Sequence, residues 1–117
     1  MTKAIFTTKK NDRGEPCGIV FICTGHAGKA ERGEDLVCAS ASILTYTLAQ
    51  TVHSLYEGRF LKRRPKIKLS DGYAKISVKP KRERFSEVYN AFAVIATGFT
   101  LLEASYTGYV SLEATEF

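Results

Sequence analysis

Two apolar stripes at helical spacing constrain the fold of this chain more than any other feature. The first recurs every three or four residues and comprises Val37, Ala41, Leu44, Leu48, Val52 and Leu55. The second has the same spacing and comprises Phe85, Val88, Phe92, Ile95, Phe99 and Leu102. This spacing predicts two helices that each bury one face. The other face of the first helix carries Ala, Ser, Thr and Tyr in place of Lys and Glu, which predicts that more than one of its sides is covered.

Short β-branched or alternating segments surround the two helices. They predict five strands, at residues 2–8, 17–24, 66–69, 73–78 and 106–114. Turn-forming residues at 9–16 and 70–72 join the first and second pairs of strands as hairpins. The order β-β-α-β-β-α-β, without a repeat or a linker, predicts an α+β fold: a single domain over residues 1–117, with a mostly antiparallel sheet and two helices.

Length and composition restrict the class of protein. A chain of 117 residues with 44% hydrophobic and 25% charged residues has the size and composition of one globular domain. Three cysteines cannot all pair within one chain, and no signal peptide is recognisable, so we expect a cytoplasmic protein with reduced thiols. The uncharged run at 88–102 is too short to span a membrane, and no membrane association is predicted.

The net charge of +5 is concentrated in one segment. Residues 61–84 contain ten basic and two acidic residues, whereas residues 85–117 contain four acidic residues and no basic ones. This segment is either an ordinary solvated surface or a site of contact with the ribosome or RNA, carried by Lys62, Arg63, Arg64, Lys66 and Lys68. An alternative function is therefore a non-catalytic ribosome- or RNA-associated binding protein that uses the basic segment 61–84.

Catalytic chemistry is indicated by the segment that precedes and enters the first helix. Asp35 is predicted as the N-cap, which places Cys38 in the first turn, where the helix dipole favours a thiolate. His26, twelve residues earlier, is a candidate base for that thiol, and first-turn amides are candidates for an oxyanion hole. Glycines at 25, 28 and 33 would let the loop move and approach a substrate. The alternative is a buried helix cysteine beside a turn.

A zinc site is a further alternative, because three cysteines and His26 precede or open the first helix. Structural zinc sites usually take their ligands as close pairs, such as Cys-x₂-Cys. Here Cys17, Cys23, His26 and Cys38 are separated by five, two and eleven residues. This spacing disfavours zinc, and the sequence contains no phosphate-binding loop or dinucleotide fingerprint. We therefore expect neither a metal nor a cofactor.

The same segment resembles the signature of the ribosomal-processing cysteine protease (Prp) family. The resemblance rests on a Gly-His-Ala motif, a glycine-bearing spacer and a Gly-x-Asp-x-Val-Cys-Ala-x-x-Ser motif. The matching residues are Gly25, His26, Ala27, Gly33, Asp35, Val37, Cys38, Ala39 and Ser42. Chain length and element order agree as well, so the resemblance covers essentially the whole chain. The charged spacer at 29–32, Cys23 and the basic segment depart from the family pattern.

The resemblance implies a cytoplasmic endopeptidase, usually a homodimer, that removes a short N-terminal extension from a large-subunit ribosomal protein precursor. It implies cleavage after paired aromatic residues, with Cys38 as the nucleophile and His26 as the base. Asp35 either orients the imidazole or caps the helix, and Ser42 either hydrogen bonds near the thiolate or is a small packing residue. Gly25, Ala27, Gly28 and Gly33 belong to the implied mobile substrate loop.

Overall fold

The computed structural model describes residues 1–25 and 34–115, with the side chains of Glu34 and Asp35 left out. The elements follow the predicted order. They are β1 (Thr2–Lys10), β2 (Pro16–Thr24), α1 (Glu34–Glu57), β3 (Lys66–Ser70), β4 (Tyr73–Val78), a 3₁₀ turn (Arg82–Arg84), α2 (Phe85–Ser105) and β5 (Val110–Thr115). The α+β architecture with two helices is thus confirmed.

The five strands form one sheet in the order β3-β4-β2-β1-β5. Three neighbouring pairs are antiparallel, namely β3 with β4, β4 with β2 and β2 with β1. The fourth pair, β1 with β5, is parallel, so the sheet is mixed. The parallel pair arises because the chain returns through α2 before it reaches the edge of the sheet, and such a crossover can join parallel strands.

The core lies between the two helices and one face of the sheet. Three phenylalanines form its centre, with Phe6 and Phe21 from neighbouring strands and Phe99 from α2, at ring-centroid distances of 4.9 to 6.2 Å. The α1 stripe packs beside them, with Leu48 and Val52 fully buried. Both predicted helical stripes are therefore confirmed as the faces that meet the sheet.

Several element boundaries differ from the sequence prediction by one to four residues, most notably the starts of α1 and β5. Helix α1 begins at Glu34, so the backbone of Asp35 occupies its second position and not the N-cap position. Strand β5 begins at Val110, four residues later than predicted, because Tyr106 donates its backbone N–H to Leu102 and ends α2. Gly108 then turns the chain with φ of 93°.

The outer side of the helical layer is apolar. Ile43 of α1 and Leu101 of α2 are 65% and 64% exposed, and both line a shallow groove between the helices. By length and composition, the segment Arg82–Ser105 is apolar enough to cross a membrane. Five of its residues are nevertheless buried in the core, as in a core helix of a globular domain.

Candidate active site

A cavity of about 350 Å³ lies between the start of α1 and the β3–β4 hairpin. Helix α1 contributes a stripe in which residues recur every three or four positions, namely Cys38, Ala41, Ser42, Thr45 and Tyr46. The hairpin contributes the continuous segment 69–74, and Thr2, Cys23 and Gly25 complete the wall. The cavity is therefore bounded by the helix that carries the candidate nucleophile and by the β3–β4 turn, which is distant from it in sequence.

Cys38 is the fifth residue of α1 and is half-buried in this wall. Helical side chains tilt toward the N-terminus, so the thiol is directed toward the end of the helix whose first amides have no partner within the helix itself. Cys38 nevertheless lies at the fifth position of α1, two residues further into the helix than the third position predicted, so its placement in the first turn is wrong.

A backbone contact between two glycines fixes the hairpin against the end of β2. The amide of Gly25 donates a hydrogen bond to the carbonyl oxygen of Gly72, at 3.1 Å. A Cβ atom at Gly72 would lie 2.8 Å from the Gly25 oxygen, and Gly72 itself has φ of 71°. A Cβ atom at Gly25 would lie 2.8 Å from Oγ1 of Thr2 and 3.0 Å from its Cα. Only glycine permits this approach at either position.

A second thiol, that of Cys23, faces the same cavity but has different surroundings. Its residue is 9% exposed at the end of β2. Burial raises the pKa of the Cys23 thiol to about 11, a hydrogen bond with Thr45 opposes this rise, and the neighbouring Cys38 adds to it. Cys23 therefore stays protonated at neutral pH, which makes it a poor nucleophile.

The remaining residues of the signature are only partly described. Ser42 is exposed in the cavity, one helical turn after Cys38, so its small side chain is not a packing residue of the core. Asp35 is placed by its backbone in α1, without its side chain. His26, Ala27, Gly28 and Gly33 lie outside the described residues, whereas Gly25, immediately before His26, lines the cavity.

The cysteines proposed as zinc ligands are not all close together. Cys17 and Cys23 lie toward opposite ends of β2, six residues apart, which corresponds to about 20 Å along a strand. All three cysteines are outside disulfides. Among the described residues, no three His, Cys, Asp or Glu side chains are grouped to hold a metal ion. Cys17 and Cys23 therefore cannot bind the same zinc ion while β2 keeps them this far apart.

Sequence reasoning missed the hairpin wall of the cavity. It identified residues 70–72 as a turn and Tyr73 as part of the basic segment, without relating either to Cys38. Gly25 and Gly72 are 47 positions apart, and no sequence pattern within a short segment predicts their contact. Tyr46 and Thr45 were more accessible to prediction, because they fall two turns after Cys38 on the same face of a predicted helix.

Comparisons with known proteins agree with this geometry. Residues 1–111 match the family model of the cysteine protease Prp. The crystal structure of the essential ribosomal processing protease Prp from S. aureus with a substrate peptide has a TM-score of 0.68 and 22% identity, covering 97% of this chain and 99% of that one. The structure of SMU.848 from Streptococcus mutans has a TM-score of 0.64 and 24% identity, covering 98% and 94%. At such identities, the structural likeness shows a shared fold.

No curated protein matches the chain by sequence. The family model, by contrast, covers all of the chain except its last six residues. It spans the glycine–histidine segment, the cysteine of α1 and the hairpin opposite. The chain belongs to the cysteine protease Prp family and is a cysteine protease.

Proposed function

We propose that this protein is an endopeptidase that removes a short N-terminal extension from a large-subunit ribosomal protein precursor, cutting after paired aromatic residues. The observation that carries the proposal is the position of Cys38 in a cavity wall that also contains Leu69 and Tyr46. A thiol beside apolar and aromatic side chains suits a peptide with aromatic residues at the cleavage site. The S. aureus protease, which shares the fold, is a ribosomal processing enzyme crystallised with a substrate peptide.

In the proposed mechanism, His26 takes the proton of the Cys38 thiol, and the sulfur attacks the scissile carbonyl carbon. Amide N–H groups at the start of α1 stabilise the oxyanion of the tetrahedral intermediate. His26 then protonates the leaving amine, and water hydrolyses the thioester, which returns the thiol. We assign the orientation of the imidazole to Asp35, the role that the family resemblance offers as the alternative to the N-cap, because α1 begins one residue before Asp35. No step requires a metal or a cofactor.

The proposed aromatic specificity is tested by a matched pair of substitutions on β3. Leu69 lines the cavity and Ile67 does not, although both are exposed to a similar extent, 43% and 39%, on the same strand. Leu69→Ala is expected to raise KM about tenfold for a peptide with two central phenylalanines, because part of an apolar contact is lost. Ile67→Ala is expected to leave KM unchanged. Equal effects of the two substitutions, or equal cleavage of a peptide with two central glycines, would contradict the proposal.

We also propose that the protein is a homodimer joined through the outer groove of the helical layer. The exposed Ile43 and Leu101 support a second copy as the occupant, since exposed apolar patches of this kind often mark interfaces. Light scattering is expected to give about twice the chain mass of 13.0 kDa for the native protein. The substitution Ile43→Glu is expected to give the monomer mass, and Ile67→Glu, on β3, to leave the dimer intact. A native protein of monomer mass would refute the dimer.

A further inference from the structure

The basic segment 61–84 forms a continuous stripe along the β3–β4 hairpin. Lys66 and Lys68 of β3 alternate with Ile67 and Leu69, and Lys68 lies directly opposite Lys75 of β4. On β4, the alternate residues Ala74, Ile76 and Val78 are buried under the helices. Since side chains alternate across a strand, the three lysines share the opposite, open face of the sheet.

The stripe continues beyond the strands toward the end of the hairpin that is remote from the cavity. An isolated bridge joins Leu61 to Pro80, and the amide of Lys62 donates to the carbonyl oxygen of Lys79 at 2.8 Å. These contacts place the segment 62–64, which is Lys-Arg-Arg, beside Lys79 and Lys81. The hairpin tip at residues 70–73 meanwhile lines the cavity. One element thus carries the active-site wall at its tip and positive charge along its length.

The charge of the stripe is largely uncompensated within the described part of the chain. Of the ten basic residues at 61–84, two form ion pairs, Arg82 with Glu15 and Arg84 with Glu87. The other eight have no carboxylate partner among the described residues. Lysines directly opposite each other, such as Lys68 and Lys75, destabilise a strand pair. Their presence at adjacent positions is therefore better explained by an anionic ligand than by folding.

Aromatic rings support two of these eight cations without neutralising them. The guanidinium of Arg64 lies 5.6 Å from the ring centroid of Tyr56, and the ammonium of Lys68 lies 5.7 Å from that of Tyr73. A cation held by a ring keeps its full charge and loses part of its side-chain freedom before any ligand binds.

We propose that the stripe formed by Lys62, Arg63, Arg64, Lys66, Lys68, Lys75, Lys79 and Lys81 binds the phosphate backbone of RNA. An acidic protein fits less well, because protein interfaces depend on apolar and aromatic anchors and are poor in lysine. The proposal rests on the proposed function in one respect. A ribosomal protein precursor that is already bound to RNA would be held by the stripe while its extension reaches the cavity at the hairpin tip.

The first test measures RNA binding in the absence of any cleavage. Fluorescence anisotropy with a labelled RNA hairpin of mixed sequence is carried out on the Cys38→Ala protein and on two double variants made in it. The first, Lys66→Glu with Lys75→Glu, removes charge from the stripe and places an acid opposite Lys68, which favours the strand pairing. The second, Lys9→Glu with Arg13→Glu, makes the same change of net charge on β1 and the turn that follows it.

Binding to RNA is expected to weaken as salt rises. The stripe variant is expected to bind RNA at least about tenfold less tightly. The slope of log K against log salt concentration is expected to be smaller in magnitude by about two. The matched control is expected to stay within about twofold of the parent, because its charges lie outside the stripe. Equal losses in both double variants would overturn the proposal, since net charge alone would then account for binding. Displacement of the RNA by an equimolar polyglutamate peptide would also overturn it, in favour of an acidic protein partner.

The second test separates the stripe from the catalytic chemistry. In protein with Cys38 intact, the stripe variant is expected to cleave a free peptide at the wild-type rate. It is also expected to lose a KM advantage of about tenfold that the wild-type protein shows for precursor bound to RNA. If the wild-type protein fails to cleave the free peptide, the proposed function falls, while the RNA-binding result stands on its own. If the KM for RNA-bound precursor is no lower than that for free precursor, the proposal that the stripe holds the precursor near the cavity is contradicted.

Discussion

Replacing Cys38 by alanine is expected to lower kcat/KM for a peptide with paired aromatic residues by about 10⁴-fold or more. The sulfur is the atom proposed to attack the carbonyl carbon, and loss of a nucleophile of this kind removes most of the rate enhancement of a protease. Cys38→Ser is expected to be nearly as inactive, because a hydroxyl is harder for an imidazole to activate. The rate is measured by following the two product peptides by mass spectrometry.

Both substitutions should leave the fold unchanged, which distinguishes a catalytic role from a structural one. Cys38 is half-buried in a cavity wall and not part of the packed core, so the free energy of unfolding is expected to change by less than about 1 kcal/mol. Urea denaturation checks this directly. A Cys38→Ala protein that cleaves at the wild-type rate would disprove the assignment, and an unfolded variant would show that the thiol has a structural role.

The second large effect is expected at Gly72, which is not part of the proposed chemistry. An added Cβ atom would lie 2.8 Å from the carbonyl oxygen of Gly25, on a residue whose φ is 71°. Gly72→Ala must therefore move the hairpin away from the end of β2, and with it the cavity wall opposite Cys38. A displacement of about 1 Å in an active site can cost about 10²-fold in rate, and we expect kcat/KM to fall by about this factor.

Gly14 provides the matched control for Gly72. It has a similar φ of 76°, in the turn between β1 and β2, but a Cβ atom there would have nothing within 4 Å. Gly14→Ala is expected to cost about 1 kcal/mol of stability from backbone strain, with no change in kcat/KM. The difference between the two variants isolates the Gly25–Gly72 contact. Equal and small effects on kcat/KM would show that the hairpin tip does not shape the active site.

The helices and their buried faces were predictable from sequence because a helix that packs on one side has apolar residues at regular positions within a short segment. Each stripe repeats every three or four residues, and Leu48, Val52 and Phe99 are fully buried as that repeat requires. The strands were also predictable from a local pattern of alternating or β-branched residues. Their pairing and their exact ends were not, where these depend on parts of the chain that are distant in sequence. The parallel pairing of β1 with β5 depends on the path of the whole chain. The late start of β5 depends on how α2 ends at Tyr106.

The candidate site was predictable only on the side that carries the chemistry. A cysteine near a helix start, after a glycine–histidine segment, is visible in sequence because reactivity depends on nearby residues. The hairpin wall was not visible, because Leu69 and Tyr73 line the same cavity as Cys38 as a result of the sheet order β3-β4-β2 and not of sequence spacing. The basic stripe was visible as composition, but its arrangement on one open face depends on strand register.

Covalent labelling by a peptidyl vinyl sulfone with phenylalanine beside the electrophile tests the central claim most directly. The reagent adds to a thiolate in a substrate-like position, so the account predicts one adduct per chain, located at Cys38 by peptide mapping. Cys23 is an internal control in the same cavity, since its pKa of about 11 keeps it protonated and unlabelled. His26→Ala is expected to slow labelling by about 10²-fold or more, as the loss of a general base does. Modification of Cys17 or Cys23 with Cys38 untouched, or undiminished labelling of the His26→Ala protein, would contradict the account.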